Sequence, residues 1–246
     1  MYTTDILKEP LPDAMVGIGC ASQNHNSRRS ASVFRNVTVY TDPDELTDDL
    51  RSGKIDAAVR GDMSSSVLLP KIRDAFGLKG LQRVVILEPV GRKMVFMAPV
   101  GIDEGNTVRQ KFELAEGSVR LMRKLGMGER IAVMSGGRKD DYGRDPSVDR
   151  SMDDASKLVA MLRKNGYDAY DAQILIESAV DEADLVIAPD GISGNIIFRT
   201  LHLLGGAKAL GAPVINMDKV FVDTSRAKTD YTDSIALAKR LTEEMR

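Results

Sequence analysis

Tryptophan is absent, cysteine occurs once and histidine twice in a chain of 246 residues. The lone thiol, Cys20, excludes an intramolecular disulfide and fits a reducing, cytoplasmic setting. Cys20, His25 and His202 are too scattered for a conventional zinc site, so no metal is expected on them. His202, set among leucines on a helical stretch, reads as packed rather than catalytic. No apolar run approaches the roughly 18 residues of a membrane span, and the start, MYTTDILKEPLPDAM, has no basic region followed by an apolar one. Neither export nor anchoring is expected. A basic excess is also missing: 34 Lys and Arg stand against 36 Asp and Glu, dispersed along the chain, which argues against nucleic acid as a partner. A hydrophobic share of 43% and a charged share of 28% are those of an ordinary globular chain.

Short apolar runs alternate with longer amphipathic ones, the pattern of parallel strands joined by helical crossovers, so the class is read as α/β with mostly parallel sheets. Strands are predicted at 15–20, 37–40, 57–60, 84–90, 94–100, 131–135, 185–188, 214–216 and 220–222, and helices at 27–35, 43–51, 67–76, 108–125, 152–164, 196–204 and 234–245. Asp42-Pro43 marks a helix start, Ser151 with Asp154 a capping box, and Gly166 a helix end. LEPVGRKMVFMAPVG breaks the alternation and reads as an antiparallel hairpin turning at Gly91. It suggests a lobe boundary near residue 90, with 1–90 and about 213–246 forming one lobe and about 91–212 the other.

Polar loops follow several of these strands and lead into helices. Glycine and serine there let backbone N–H groups converge, and the helix behind adds its positive end, so an anion is stabilised. Arg60, Gly61, Ser64 and Ser65 form one such turn, which an ordinary capped turn explains equally well. Ser135, Gly136, Gly137 and Arg138 form the next, where a diglycine after a strand favours ligand contact. The run from Arg138 to Arg150, with Asp140, Asp141, Asp145 and Asp149, reads as a lid, a solvated face or a Mg²⁺ site. Asp190, Gly191, Gly194 and Asn195 offer a close backbone approach or an Asx turn, and Ser225 with Arg226 a hydroxyl and a fork of donors. At least three of Gly61, Gly136, Gly137, Gly191 and Gly194 are expected to have positive φ or to touch ligand. Ser135 and Arg226 are expected to reach one cavity.

At these turns the chain resembles the superfamily of phosphotransacetylases, phosphotransbutyrylases and phosphate acyltransferases. DGISGN at 190–195 is similar to the Asp-Gly-x-x-Gly-Asn turn of the acyltransferases. Pro213-Val214-Ile215-Asn216, Ser225-Arg226 and the 55–61 segment IDAAVRG resemble phosphotransacetylase signatures. RGDMSSS, APVGIDEG, SGGRKDDYGRDPSVDR, APDGISGN and FVDTSRA, in that order, resemble the methanogen family called methanogenesis marker protein 4, or methyltransferase MtxX. The resemblance implies the two-lobed isocitrate/isopropylmalate dehydrogenase-like fold, an archaeal source, and a transferase tied to methanogenesis. It also implies a phosphate or acyl-phosphate site in an interlobe cleft, with Ser135, Arg226 and Asp230 as catalytic candidates.

The chain departs from the superfamily in ways that matter. Asp230 and Asp233 do not match the spacing of the phosphotransacetylase base after Ser-Arg. Gly17-Ile18-Gly19-Cys20 is no S-adenosylmethionine turn, and no D-x-H-x-x-G corrinoid motif occurs. Coenzyme A is admitted by the resemblance. A small anionic substrate, a protein carrying a methyl group and a second copy of the chain are the expected partners. The alternative is an anion sensor or assembly factor that lost the acyltransferase base.

Overall fold

The structure is a computed structural model that describes residues 1–21 and 25–244. The end of the helix expected to reach Met245, and the Ser22 to Asn24 part of the turn after Cys20, lie outside the described residues. The chain divides into two compact units, Met1–Tyr2 with Gln82–Ala209 and Thr3–Leu81 with Leu210–Arg246. They are called central and terminal here, for their places in the sequence.

The terminal unit begins with α1 (Thr3–Ile6), β1 (Val16–Gly19), α2 (Asn26–Ala31), β2 (Val37–Tyr40), α3 (Pro43–Ser52), β3 (Ala57–Val59) and α4 (Ser65–Ala75). The central unit holds β4 (Val85–Glu88), β5 (Val95–Ala98), α5 (Val108–Lys124), β6 (Ile131–Met134), α6 (Pro146–Lys164), β7 (Ala169–Gln173), α7 (Ile176–Glu182), β8 (Leu185–Ile187) and α8 (Gly191–Arg199). A π-helical turn, Thr200–Leu204, extends α8. β9 (Lys208–Pro213) then carries the chain into the terminal unit, which ends with β10 (Val220–Asp223) and α9 (Thr232–Glu244).

In the terminal unit β2, β1, β3 and β10 run parallel, with β9 antiparallel to β10. In the central unit β5, β8, β6 and β7 run parallel, and β4 pairs antiparallel with β5 as the hairpin reading requires. Strands covered by helices on both faces must be apolar on both. β1, β3, β5, β6, β8 and β10 are accordingly buried along their length. Tyr40, Leu46, Leu50, Ile55, Leu68, Ile72 and Phe221 pack one face of the terminal sheet. α9 packs on β3 and β10.

β7, α7 and the short α1 were not expected, α2 stops at Ala31, and three further elements are displaced from the sequence reading. α6 starts six residues before the expected Met152: Asp145 accepts Ser147 N–H at 2.7 Å and Pro146 takes the first helical position. Ser151 is inside that helix, and its Oγ accepts Gly136 N–H at 2.9 Å instead of capping. α8 likewise starts at Gly191, so the glycine-rich DGISGN segment is helix rather than a turn before one. The strand expected at 214–216 is β9, at Lys208–Pro213, where Gly211 with φ 143° keeps a side chain away from Val222.

Candidate functional site

In each unit the parallel strands deliver their carboxyl-terminal turns to one edge, where ligands of such sheets bind. What distinguishes the two edges is how much hydrogen-bonding capacity the chain has already spent.

At the central edge most of it is spent. Ser135 is buried, and its Oγ donates to Gly137 O at 3.1 Å while its N–H donates to Gln173 O at 2.8 Å. Asp190 caps α8 by accepting Ser193 N–H at 2.7 Å. Asn195 Nδ2 donates to Val100 O at 2.8 Å, and Gly191 N–H to Glu104 O at 3.1 Å. The carboxylates of the charged loop hold its own turns. Asp141 takes Arg138 N–H and the Arg144 guanidinium, and Asp149 takes Gly143 N–H. Among the described residues no three His, Cys, Asp or Glu gather as a metal site. The Arg138 guanidinium is exposed and makes no ion pair with the described residues. A residue the sequence reading passed over is Lys111, 5% exposed on α5, whose Nζ donates to Pro189 O at 2.9 Å. Burial pushes its pKa down, against the opposing pull of Asp154 and Asp190.

Positive φ, one half of the glycine expectation, is met once. Of Gly61, Gly136, Gly137, Gly191 and Gly194, only Gly61 has a positive φ, at 61°. Gly191 and Gly194 are required by the chain itself, since a Cβ on them would lie 1.8 Å from Gly101 O and 1.9 Å from Pro99 O. They seat α8 against the turn after β5.

At the terminal edge the balance differs. Arg60 is buried, paired through Nε with Asp223 and through Nη1 with Met63 O at 2.7 Å, so its guanidinium locks the ends of β3 and β10 together. Gly61 turns the chain where a Cβ would meet Gly19 O at 2.0 Å, and Gly61 O accepts Thr224 Oγ1 at 2.8 Å. The turn after β3 then enters α4, whose cap residue Ser64 makes no side-chain cap bond; Ser64 Oγ and Ser66 Oγ share a hydrogen bond at 2.9 Å. Among the described residues no side chain caps the first turn of this 11-residue helix, where Val67 N–H bonds Ser64 O at 3.2 Å, whereas α3, α5, α6 and α8 are capped by Asp42, Thr107, Asp145 and Asp190.

The turn after β10 stands beside the turn after β3, where Thr224 Oγ1 reaches Gly61 O. Ser225 Oγ accepts Ala227 N–H at 3.2 Å, and Ser225 O accepts the hydroxyl of Tyr231 at 3.2 Å. Tyr231 is fully buried, and burial pushes its pKa up to about 12. Arg226 is exposed and makes no hydrogen bond or ion pair with the described residues. Asp62, which the sequence reading did not select, is 5% exposed; Oδ1 accepts Ala21 N–H at 2.7 Å, and Oδ2 has no hydrogen-bond partner among the described residues. Beside it Cys20 is buried, and desolvation, then the Asp62 charge, pushes its thiol pKa up.

Asp230 holds the first turn of α9. Its Oδ1 accepts Thr232 N–H at 2.8 Å, Thr232 Oγ1 at 2.5 Å and Ser30 Oγ at 3.1 Å. Hydrogen bonds from Thr232 hold its carboxyl below the usual carboxylate range, which weakens it as a base. Asp230→Ala is expected to cost about 0.5–2 kcal/mol, as loss of a cap does. Because the folded-state pKa is depressed, the charge-dependent part of that stability is present above the unfolded-state value and is lost as pH falls through the folded one. Denaturant titrations of the wild type and Asp230→Ala at neutral and acidic pH check this; an equal cost at both would show that the carboxylate charge is not involved.

No protein-family model matches the chain. Two solved structures define its fold class. A phosphotransacetylase of Staphylococcus aureus superposes with a TM-score of 0.71 at 13% identity, covering 98% of each chain. An isocitrate dehydrogenase of Methylococcus capsulatus gives 0.54 at 9% identity, over 93% of this chain and 83% of that one. The fold is thus that of the phosphotransacetylases and isocitrate dehydrogenases, as the sequence resemblance implied. Over 201 residues the chain is 43% identical to a Methanosarcina acetivorans protein named "Putative methyltransferase mtx subunit X", covering 81% of this chain and 72% of that protein. An "Uncharacterized methyltransferase" of Methanopyrus kandleri is 38% identical over 224 residues, 85% of this chain and 87% of that one. The chain belongs to this methyltransferase mtx subunit X family.

Proposed function

We propose that the chain is a transferase subunit of methanogen metabolism that binds a phosphate or acyl-phosphate-type anion at the terminal edge. The observation that supports this reading most is the pairing of two unspent donor sets on adjacent parallel strands. One is the start of α4, uncapped by any described side chain, with Ser64, Ser65 and Ser66; the other is the guanidinium of Arg226, which has no partner among the described residues. A helix start supplies N–H groups and positive potential, and arginine supplies a planar fork, so a tetrahedral oxyanion is held from two sides. Stabilising charge that develops on such a centre is the chemistry the site can offer. The methyltransferase label of the relatives names the class of group transferred, and the word subunit in their names is in keeping with a protein partner that carries it.

A second reading is favoured by Asp230. A carboxyl engaged in starting α9, with a depressed pKa, serves poorly as an acyltransferase base, which suits an anion sensor that binds without turnover. Calorimetry with inorganic phosphate, and turnover with acetyl phosphate and coenzyme A, separate the two. Arg226→Ala is expected to weaken phosphate binding by about tenfold to a hundredfold, the worth of charge-assisted hydrogen bonds of about 1.5–3 kcal/mol. Arg226→Lys should recover only part, since an ammonium keeps the charge and loses the fork. Phosphate affinity indifferent to Arg226→Ala removes the site. Binding without acyl transfer selects the sensor.

A further inference from the structure

α8 and the π-helical turn that extends it place almost none of their apolar side chains inside the central unit. Over 191–204 the buried residues are Gly191 and Gly194, the two that seat the helix on the turn after β5. Ile192 and Ile196 are each 60% exposed, Leu204 is 85% exposed, and Ile197, Phe198 and Leu201 are half-buried. Exposed Ile102, in the turn under the helix start, and exposed Val90, 3.5 Å from where a Cβ on Gly206 would stand, carry the strip past both ends of the helix. A helix that is apolar nearly all round is one that a neighbour covers, and a continuous exposed apolar strip marks a surface of association.

The charges on the strip say which neighbour fits. Arg199 is the one charged residue of 191–204; it is exposed and makes no ion pair with the described residues. It lies one helical turn beyond Asn195, whose Nδ2 donates to Val100 O at 2.8 Å, so it leans to the side of α8 that borders the turn after β5. That turn carries Asp103, 81% exposed and 3.5 Å from Arg83, which is itself engaged with Glu104. The turn meets the helix at Gly191, whose N–H donates to Glu104 O at 3.1 Å. Asp103 is therefore level with the helix start, about 12 Å along the axis from Arg199 at 1.5 Å per residue. The two charges share one side of the strip, too far apart to pair within a chain, with Ile192 and Ile196 between their levels. Two such strips laid antiparallel about a two-fold axis near Asn195 bring each Arg199 to Asp103 of the other copy and stack the isoleucines at the axis. That is the self-complementarity an isologous contact requires. A parallel pairing leaves all four charges without a partner, and an unrelated subunit would have to bring a carboxylate of its own among apolar groups.

We infer that the exposed face of α8 is the contact between two copies of this chain, paired antiparallel with Ile196 at the axis and an Arg199–Asp103 ion pair on either side of it. The apolar centre supplies the driving force by excluding water, and the two ion pairs at the rim fix the register. The contact uses the central unit alone and does not depend on the anion reading above.

The test is the mass of the full chain by sedimentation equilibrium over the micromolar range, for wild type, Ile196→Glu, Arg199→Glu, Asp103→Lys and the double variant Arg199→Glu with Asp103→Lys. The wild type should show twice the 26.9 kDa of one chain. Ile196→Glu sets two carboxylates together at the axis and should give single chains with an unchanged circular dichroism spectrum. Each single charge reversal acts on both ion pairs and should weaken the dimer by at least about tenfold, and the double variant, which exchanges the signs, should return to within about threefold of the wild type. A wild type with the mass of one chain would overturn the inference and leave the strip to a different subunit. A dimer untouched by Ile196→Glu would overturn it by moving the contact elsewhere, and a double variant no tighter than the single ones would overturn the antiparallel register. Should Ile196→Glu fail to fold, the charge exchange decides by itself, because its variants alter only exposed side chains.

Discussion

Gly191→Ala is expected to destabilise the chain by about 3 kcal/mol, at the upper end of what one added methyl costs in a packed interior. The new Cβ would stand 1.8 Å from Gly101 O and 2.8 Å from Glu104 O, and both are backbone oxygens. A flexible side chain could swing aside, but a carbonyl in a turn can move only with its chain. Gly191 N–H also donates to Glu104 O at 3.1 Å, so shifting the turn away would stretch that bond. Glu104 in turn anchors the turn through Arg83, whose Nε lies 2.6 Å from Oε1. The contrast is Gly136→Ala, where the nearest atom to an added Cβ is Ser151 Oγ at 3.5 Å, an ordinary contact, and φ is not positive. That variant should be neutral or gain about 0.4–1 kcal/mol through the unfolded state. Urea unfolding of both decides it: a Gly191→Ala loss below about 1 kcal/mol would mean that the turn yields, and that packing does not explain this glycine.

The same contrast shows how far the residues could be read in advance. Strand cores of Val, Ile and Ala were legible because burial on both faces demands them, and β2 was legible to the residue. β7 was not, since Ala-Tyr-Asp-Ala-Gln carries no run of branched residues, and α7 is a short stretch of mixed acidic and apolar residues. The start of α6 was present in the sequence as Asp145-Pro146, the same signal as Asp42-Pro43, but it was submerged in a charged run that suggested a lid. For the site, loops at strand ends were legible as loops, while the state of their polar atoms was not. Whether Asn195 donates to a ligand or to Val100 O, 95 positions away, is decided by tertiary packing. So is the state of Asp62, whose Oδ1 accepts the N–H of a residue 41 positions distant while Oδ2 has no partner among the described residues. Local sequence supplies the donors, and the fold determines which of them are already spent.

Arg60 tests that last point most severely, because the sequence reading placed it among the ligand contacts and the structure pairs it with Asp223, 163 positions away. The two side chains are 6% and 12% exposed, and Asp223 Oδ1 also accepts Thr224 N–H at 2.8 Å. Asp223→Ala would therefore strand a guanidinium in the interior with Met63 O as its remaining acceptor among the described residues. The expected loss is about 3–5 kcal/mol, most of it the cost of an uncompensated buried charge rather than the worth of the pair. Replacing both partners should reverse much of the damage, because Arg60→Met with Asp223→Leu removes both desolvation costs and returns apolar volume to the space. The double variant also separates the two roles of Arg60. If the residue only joins β3 to β10, the double variant should fold with near wild-type stability and bind inorganic phosphate within about threefold of the wild type, a change of less than about 1 kcal/mol. A double variant that is equally stable but binds phosphate more than about tenfold more weakly would return Arg60 to the ligand. A single Asp223→Ala loss below about 1 kcal/mol would instead show that water reaches the guanidinium and that the pair does not hold the ends of the two strands together.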